Sequence, residues 1–273
     1  MKTKKIIPIY ILVVFACVVA LFPFVFTFLA ATHTNSQIYQ LSYAFRLGGE
    51  FGNNLKSLSE SFPIWRNIGN SILIAGIYTV LVLFVDSMAG YALAKYEFKG
   101  KNLIFSLCMM SMFIPTQVTM IPLFVEMTSF QMMNTIWAVI LPGVASVFGV
   151  FLMRQNMTGF PNELLESARI DGAGDFRIFF RIVLPNMKSA LASLGIVSFV
   201  NQYGNFMWPL IALNEKEKYT MPLVLSLMVQ PGYVIDYGAV FTGTVLSLLP
   251  VLIFFLLFQK NFVDGMLAGA VKG

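Results

Sequence analysis

The chain has 273 residues, of which 58% are hydrophobic and 11% charged, with a net charge of +5. A soluble domain usually carries about 25% charged residues. Together with a mean hydropathy of +0.77, this composition excludes a soluble enzyme and leaves little material outside a bilayer for a second folded domain. The cysteines Cys17 and Cys108 both sit inside apolar runs, so neither a disulfide framework nor a metal cluster follows from them.

The first apolar run covers residues 6–31 behind Lys2, Lys4 and Lys5. It is far longer than the core of a signal peptide and is expected to remain as a first span. A loop rich in Ser, Asn and Gly follows over residues 32–67, with His33 expected to be solvated. The second span, 68–94, contains an isolated acid, Asp86. A charge at mid-membrane costs about 2.5–3.5 kcal/mol on insertion scales, so Asp86 is expected to face the bundle or an aqueous cavity. It can serve there as a structural partner of neighbouring spans, as a pathway residue, or as a proton-coupling carboxylate.

Further spans are expected over 103–125, 136–153, 190–213 and 238–258, close to the roughly 20 residues that cross a hydrocarbon core. Pro115 and Pro122 interrupt the third, and Trp208-Pro209 lies near the end of the fifth. Such prolines are tolerated where neighbouring groups satisfy the freed carbonyls. Asn201, Gln202, Tyr203 and Asn205 form the densest polar cluster in any span, and Gln117 stands beside Pro115. Amides and aromatic faces suit hydroxylated ligands such as sugars, which makes these residues candidates for a pathway lining. Interhelical hydrogen bonding is the other reading of the same side chains.

Six spans in one transmembrane domain, 1–273, put both termini on one side. Of the 18 basic residues, the opposite side holds only Arg46, Lys56, Arg66, Lys216 and Lys218. The positive-inside rule then makes the termini cytoplasmic. The basic balance is a topology signal, and nucleic-acid binding drops out.

Most cytoplasmic material lies in residues 155–189, which read as two short helices around a glycine turn. Pro161 suits a first helical turn, and Glu163 and Glu166 place negative charge near that helix's N-terminus. Gly172 and Gly174 break the helix, and Asp175 is expected to cap the next one. That second helix, Phe176 to Leu184, is expected to end at Pro185. It is too apolar to lie bare, so something must cover it.

Glu166-Ser167-Ala168, three residues, Gly172, nine residues, then Ile182-Val183-Leu184-Pro185 resembles the EAA loop of ABC importer permeases, E-A-A-x3-G-x9-I-x-L-P. Ser167 replaces the middle alanine. The tail from Gln259 to Gly265, closing in Ala268 to Gly273, is similar to the C-terminus of the smaller permease of maltose-type sugar importers. Tyr91 to Tyr96 with Phe98 to Lys101, Ile114-Pro115, Ile121 to Leu123 and Phe206 to Leu210 resemble further stretches of that permease. Tyr203-Gly204-Asn205 stands where a Trp-Asn pair is more usual.

The resemblance implies an all-helical integral membrane permease of six spans in the cytoplasmic membrane of a bacterium or archaeon. It implies alternating access with a second, homologous permease, an ATP-binding-cassette ATPase dimer and an extracellular sugar-binding protein. Glu166, Ser167, Ala168, Gly172, Ile182, Leu184 and Pro185 would form the element that docks on the ATPase. Outer loop 214–237 would receive the binding protein, and residues 266–271 could also reach the ATPase. The only Gly-Lys pair, Gly100-Lys101, is followed by Asn102, so no P-loop is present. Mg-ATP therefore belongs to the partner, with no cofactor on this chain and no catalytic residue in it. A permease for another solute, such as polyamine or phosphate, shares the same loop. An ion-coupled secondary transporter using Asp86 is the alternative from another class.

Overall fold

The computed structural model describes residues 3–40, 45–230 and 235–270, with side chains for residues 8–40, 45–230 and 235–259. The described residues are helical, without strands. In chain order the helices are α1 (Thr3–Ala30), α2 (Asn35–Ile38), α3 (Phe51–Ser61), α4 (Ile64–Lys95), α5 (Lys101–Ser111), α6 (Thr116–Ser129), α7 (Ile136–Ile140) and α8 (Val147–Thr158). There follow α9 (Asn162–Ile170), α10 (Asp175–Ile178), α11 (Leu184–Asn186), α12 (Lys188–Gly204), α13 (Met207–Ala212), α14 (Met221–Met228) and α15 (Tyr237–Ala270).

Three helices are long and apolar enough to cross a bilayer unbroken: Pro8–Ala30 of α1, α4, and Tyr237–Gln259 of α15. Three further candidates are bent pairs. The expected third span is α5 and α6, bent by 102° at the residues before Pro115. Pro115 is extended (φ −61°, ψ 133°) and caps α6, whereas Pro122 stays inside that helix. The expected fourth span is α7, a 3-10 turn over Leu141–Gly143, and α8, bent by 45°. Pro142 in that turn has no N–H to continue the ladder. The expected fifth span divides into α12 and α13, and an 82° bend separates α12 from the segment Asp175–Asn186 before it.

The chain forms two compact units. One comprises Met1–Ile68 and Met221–Leu249. Here the expected loop after α1 is an ordered cap built on Asn54 of α3. Its Nδ2 donates to the carbonyls of Ala31 (2.9 Å) and His33 (3.0 Å), and Thr242 Oγ1 donates to Ala31 O (3.3 Å). Asp236 caps α15 through Ala239 N (3.1 Å) and accepts from Ser57 Oγ (2.8 Å). His33 is buried, contrary to expectation, with Nε2 at 2.9 Å from Arg46 O. Composition marked this segment as polar; Thr32, His33 and Asn54 turn inward to close the ends of helices, while Asn53, Lys56, Ser59 and Glu60 face outward. Of the expected docking loop 214–237, residues 231–234 lie outside the described residues, as do the side chains of the tail from residue 260 onward.

The other unit comprises Gly69–Thr220 and Pro250–Gly273. Its core gathers Val82 and Tyr91 of α4, Met153 and Met157 of α8, Leu165 and Ala168 of α9, and Ile178, Phe179 and Val183. The apolar helix after Gly174 is thus covered on its Ile178, Phe179 and Val183 face by the chain's own helices, while Phe176 and Phe180 stay exposed. It also runs on past Leu184. Phe179–Val183 is a π-turn in which Leu184 N donates to Phe179 O, and Pro185 opens α11 instead of ending the helix. The wider turn carries Pro185 past a carbonyl that its ring would otherwise strike.

α4 and α8 pack unusually close at Gly90. A Cβ there would lie 2.7 Å from Met153 Cβ and 2.8 Å from Arg154 N. Because the second atom is backbone, no rotamer change relieves the clash. Gly90→Leu is expected to destabilise the chain by about 1–3 kcal/mol or more through overpacking, read as a lowered unfolding temperature in detergent, while Gly69→Leu, at an open position, leaves it near wild type.

Candidate functional site

Residues 155–189 form a helix–turn–helix whose turn is closed by backbone bonds and braced by one ion pair. Gly172 N donates to Arg169 O (3.0 Å) and Ala173 N to Ala168 O (2.9 Å), with Gly172 at φ +80°. This is a Schellman motif, completed by the apolar contact of Ala173 with the core around Ala168. Pro161 is the cap residue of α9, one position before the helix. Asp175 does not cap the next helix. Gly174 takes that position without a side-chain bond, and Asp175 Oδ1 instead accepts from Arg169 Nη2 (3.1 Å) across the turn.

The end of α4 grips both ends of α9. At one end Lys95 Nζ donates to Asn162 Oδ1 (2.8 Å), to Phe160 O and to Thr158 O (3.5 Å). At the other, Tyr96 hydrogen-bonds Asp175, and the Arg169 guanidinium lies 5.9 Å from its ring centroid. Burial, followed by the bond to Asp175, pushes the Tyr96 phenol up to about 12. It therefore stays a donor at any physiological pH, and that contact is present below pH 10 and lost only as pH rises towards 12. Arg169 is raised chiefly by its bond to Asp175.

The seven residues expected to dock divide into two sets. Glu166, Ser167, Gly172 and Pro185 are exposed. Ala168 is buried, and Ile182 and Leu184 pack against the unit's own core. The outward face gains two apolar residues that sequence reasoning did not single out, Ile170 (86% exposed) and Phe176 (69%).

A cavity of about 420 Å3 is lined by Gln117, Asn201, Gln202 and Asn205, together with Tyr78, Thr116, Thr119 and Trp208. The broken helix 136–143 forms one wall, and three of these side chains repair it. Pro142 cannot donate to Ala138 O, and Trp208 Nε1 does so instead (2.8 Å). Gln202 Nε2 donates to Val139 O (3.2 Å) and Tyr78 OH to Gly143 O (3.0 Å). Tyr78 and Trp208 were missed in the sequence. The signal that finds them is Pro142, which frees a carbonyl in a span and so demands a donor from a neighbour.

Two expected pathway residues lie elsewhere. Tyr203 is buried with Ala75, Phe199 and Phe254. A helix turns about 100° per residue, so Asn201 and Asn205 share a face from which Tyr203 points away. Asp86 is 0% exposed and absent from the cavity wall. Its Oδ1 accepts from the backbone N–H of Ser146 (3.0 Å), the cap residue of α8. Gly149, one turn on, leaves room for the carboxylate, since a Cβ there would collide with it. The positive end of α8 faces the acid.

A family model for the inner membrane component of binding-protein-dependent transport systems matches residues 86–267. The arabinooligosaccharide transport system permease protein AraQ of Halalkalibacterium halodurans is 40% identical over 221 residues, covering 81% of this chain and 79% of that protein. The lactose transport system permease protein LacG of Rhizobium radiobacter is 35% identical over 257 residues, covering 94% and 93%. Among solved structures, a bacterial ABC transporter involved in the import of the acidic polysaccharide alginate shares the fold, with TM-score 0.81 over 96% of this chain and 97% of that one at 22% identity.

Two substitutions test the site's construction. Trp208→Phe keeps the ring but orphans Ala138 O, at an expected cost of about 1–3 kcal/mol, visible as a lowered unfolding temperature. Gly172→Val forces an L side chain into the left-handed region and is expected to cost roughly 1–2 kcal/mol, whereas Gly172→Asn, which tolerates that region, costs less by the same measurement.

Proposed function

The chain belongs to the family of inner membrane components of binding-protein-dependent transport systems, and from that premise we propose that it is one half of the pore of an ATP-driven importer of a sugar or oligosaccharide. The observation that carries the proposal is the exposed helix–Gly172–helix element, rigid by its backbone closure and seated on the core that holds the spans together. Glu166, Ser167, Ile170 and Phe176 present a mixed acidic and apolar face suited to a cleft on an ATPase subunit. A second permease completes the pore. The ATPase pair binds and hydrolyses Mg-ATP, and its closure displaces the element.

The termini and residues 155–189 are assigned to the cytoplasm on the charge asymmetry of the loops. A binding protein delivers solute from the other side. Segment 214–220 is a firm landing place there, because Asn70 Nδ2 holds Glu217 O (2.8 Å) and Tyr219 O (3.1 Å). The cavity is the proposed passage on this subunit. Gln117, Asn201 and Asn205 offer amide donors and acceptors to hydroxyl groups, and the Trp208 and Tyr78 rings offer apolar faces. A sugar as solute is supported by the oligosaccharide and lactose permeases among the relatives. An sn-glycerol-3-phosphate permease of Yersinia enterocolitica, 28% identical, supplies the comparison solute.

Purified from its native membrane in mild detergent, the chain is expected to bring down a second permease and an ATPase. Gly172→Glu is expected to release the ATPase and keep the permease. In cells, uptake of arabinooligosaccharide or lactose is expected to exceed uptake of sn-glycerol 3-phosphate, and Asn201→Ala with Gln117→Ala to reduce it. Purification of the chain alone would overturn the importer reading; preference for the phosphate ester would overturn the sugar.

A further inference from the structure

We propose, resting on residues 155–189 being the coupling element, that Asp86 and Lys95 are positioning residues that lock α4 and α8 into one strut, through which displacement of α9 reaches the cavity wall. The two helices are parallel and fastened at both ends. At the start of α8, Asp86 Oδ1 accepts from Ser146 N (3.0 Å). At its end, Lys95 Nζ reaches Thr158 O and Phe160 O. Between the fastenings, Gly90 brings α4 against the backbone of Met153 and Arg154, and Arg154 Nε donates to Leu93 O (3.3 Å). Side chains cannot slide past one another where backbone meets backbone, so the pair moves as a body.

Each end of the strut touches one of the two sites. The Lys95 ammonium that closes α8 also holds Asn162, the first residue of α9 (2.8 Å). Upstream on α4, Tyr78 holds Gly143 O in the broken helix lining the cavity (3.0 Å). From Tyr78 to Lys95 is about 26 Å of continuous helix at 1.5 Å per residue. A push on α9 has a rigid path to the 136–143 wall, and the path depends on the Lys95 grip. Its hydrogen-bond acceptors are two carbonyls and an amide, so its part is to fix geometry.

The test uses the complete importer reconstituted in liposomes, comparing solute transport with binding-protein-stimulated ATP hydrolysis. Loss of a charge-assisted contact of this kind is worth about tenfold, so Lys95→Met is expected to lower transport by about that factor. Hydrolysis by the partner subunits is expected to change far less, raising the ATP spent per solute. Lys95→Arg, which keeps a charged donor for the same carbonyls, is expected to restore much of the transport. The double variant Lys95→Met with Asn162→Ala is expected to be no worse than Lys95→Met alone. Asp86→Asn keeps an acceptor for Ser146 N and keeps coupling, whereas Asp86→Leu loses it.

Transport and hydrolysis falling in proportion in assembled complexes would reduce Lys95 to a stability residue and overturn the proposal, as would unchanged transport. If Lys95→Met fails to assemble, Asn162→Ala, which deletes a single acceptor, is read by the same two outcomes. A wild-type chain that carries no ATPase overturns the coupling reading itself and is recognised before any variant is compared.

Discussion

A bilayer supplies no water to pair with backbone groups, and every break in a spanning helix must therefore be mended from within the protein. That constraint organises the second unit. Pro142 breaks the helix 136–143, and the carbonyls around the break are met by Trp208, Gln202 and Tyr78 from three other helices. The broken helix forms one wall of the cavity, and the donors that repair it supply part of the polar lining. Tyr78, Gln202 and Trp208 both line the cavity and mend the backbone, while Gln117, Asn201 and Asn205 line it without taking part in the repair.

The helix–turn–helix over residues 155–189 follows the same constraint. Its turn is closed chiefly by backbone bonds, which leaves most side chains of α9 free to divide between an inward apolar face and an outward mixed one. Leu165 and Ala168 enter the core while Glu166, Ser167 and Ile170 remain outside. The π-turn after Ile178 then lets an apolar helix continue through Pro185 without a clash, so only Met187 separates it from α12.

Three long apolar helices, α1, α4 and α15, were legible because their signal is simple: about 20 apolar residues in a row. The glycine turn was legible too, since Gly172 is the residue that a left-handed position selects. What escaped the sequence depends on partners far along the chain. Pro115 marks a break, but the 102° bend depends on how α5 and α6 pack. Gln117 meets Asn201 only after folding, and Tyr203 joined the expected cluster by adjacency although the helical turn sends it the other way. Asp86 reads as an isolated charge until Ser146, sixty residues on, offers its N–H. The apolar helix at 176–184 needed a cover, and nothing local said that the cover was α4 and α8.

The two grips on α9 differ in kind. Lys95 holds its end through uncharged oxygens at close range, whereas the end near Gly172 is drawn together partly by the half-exposed ion pair of Arg169 and Asp175. Mobile ions screen exposed charge pairs and leave short hydrogen bonds from a half-buried ammonium largely alone. As ionic strength rises, as in a cell losing water to an osmotic shock, the end of α9 near Gly172 thus loses its side-chain support first, while backbone bonds keep the turn closed and Lys95 keeps its hold at Asn162.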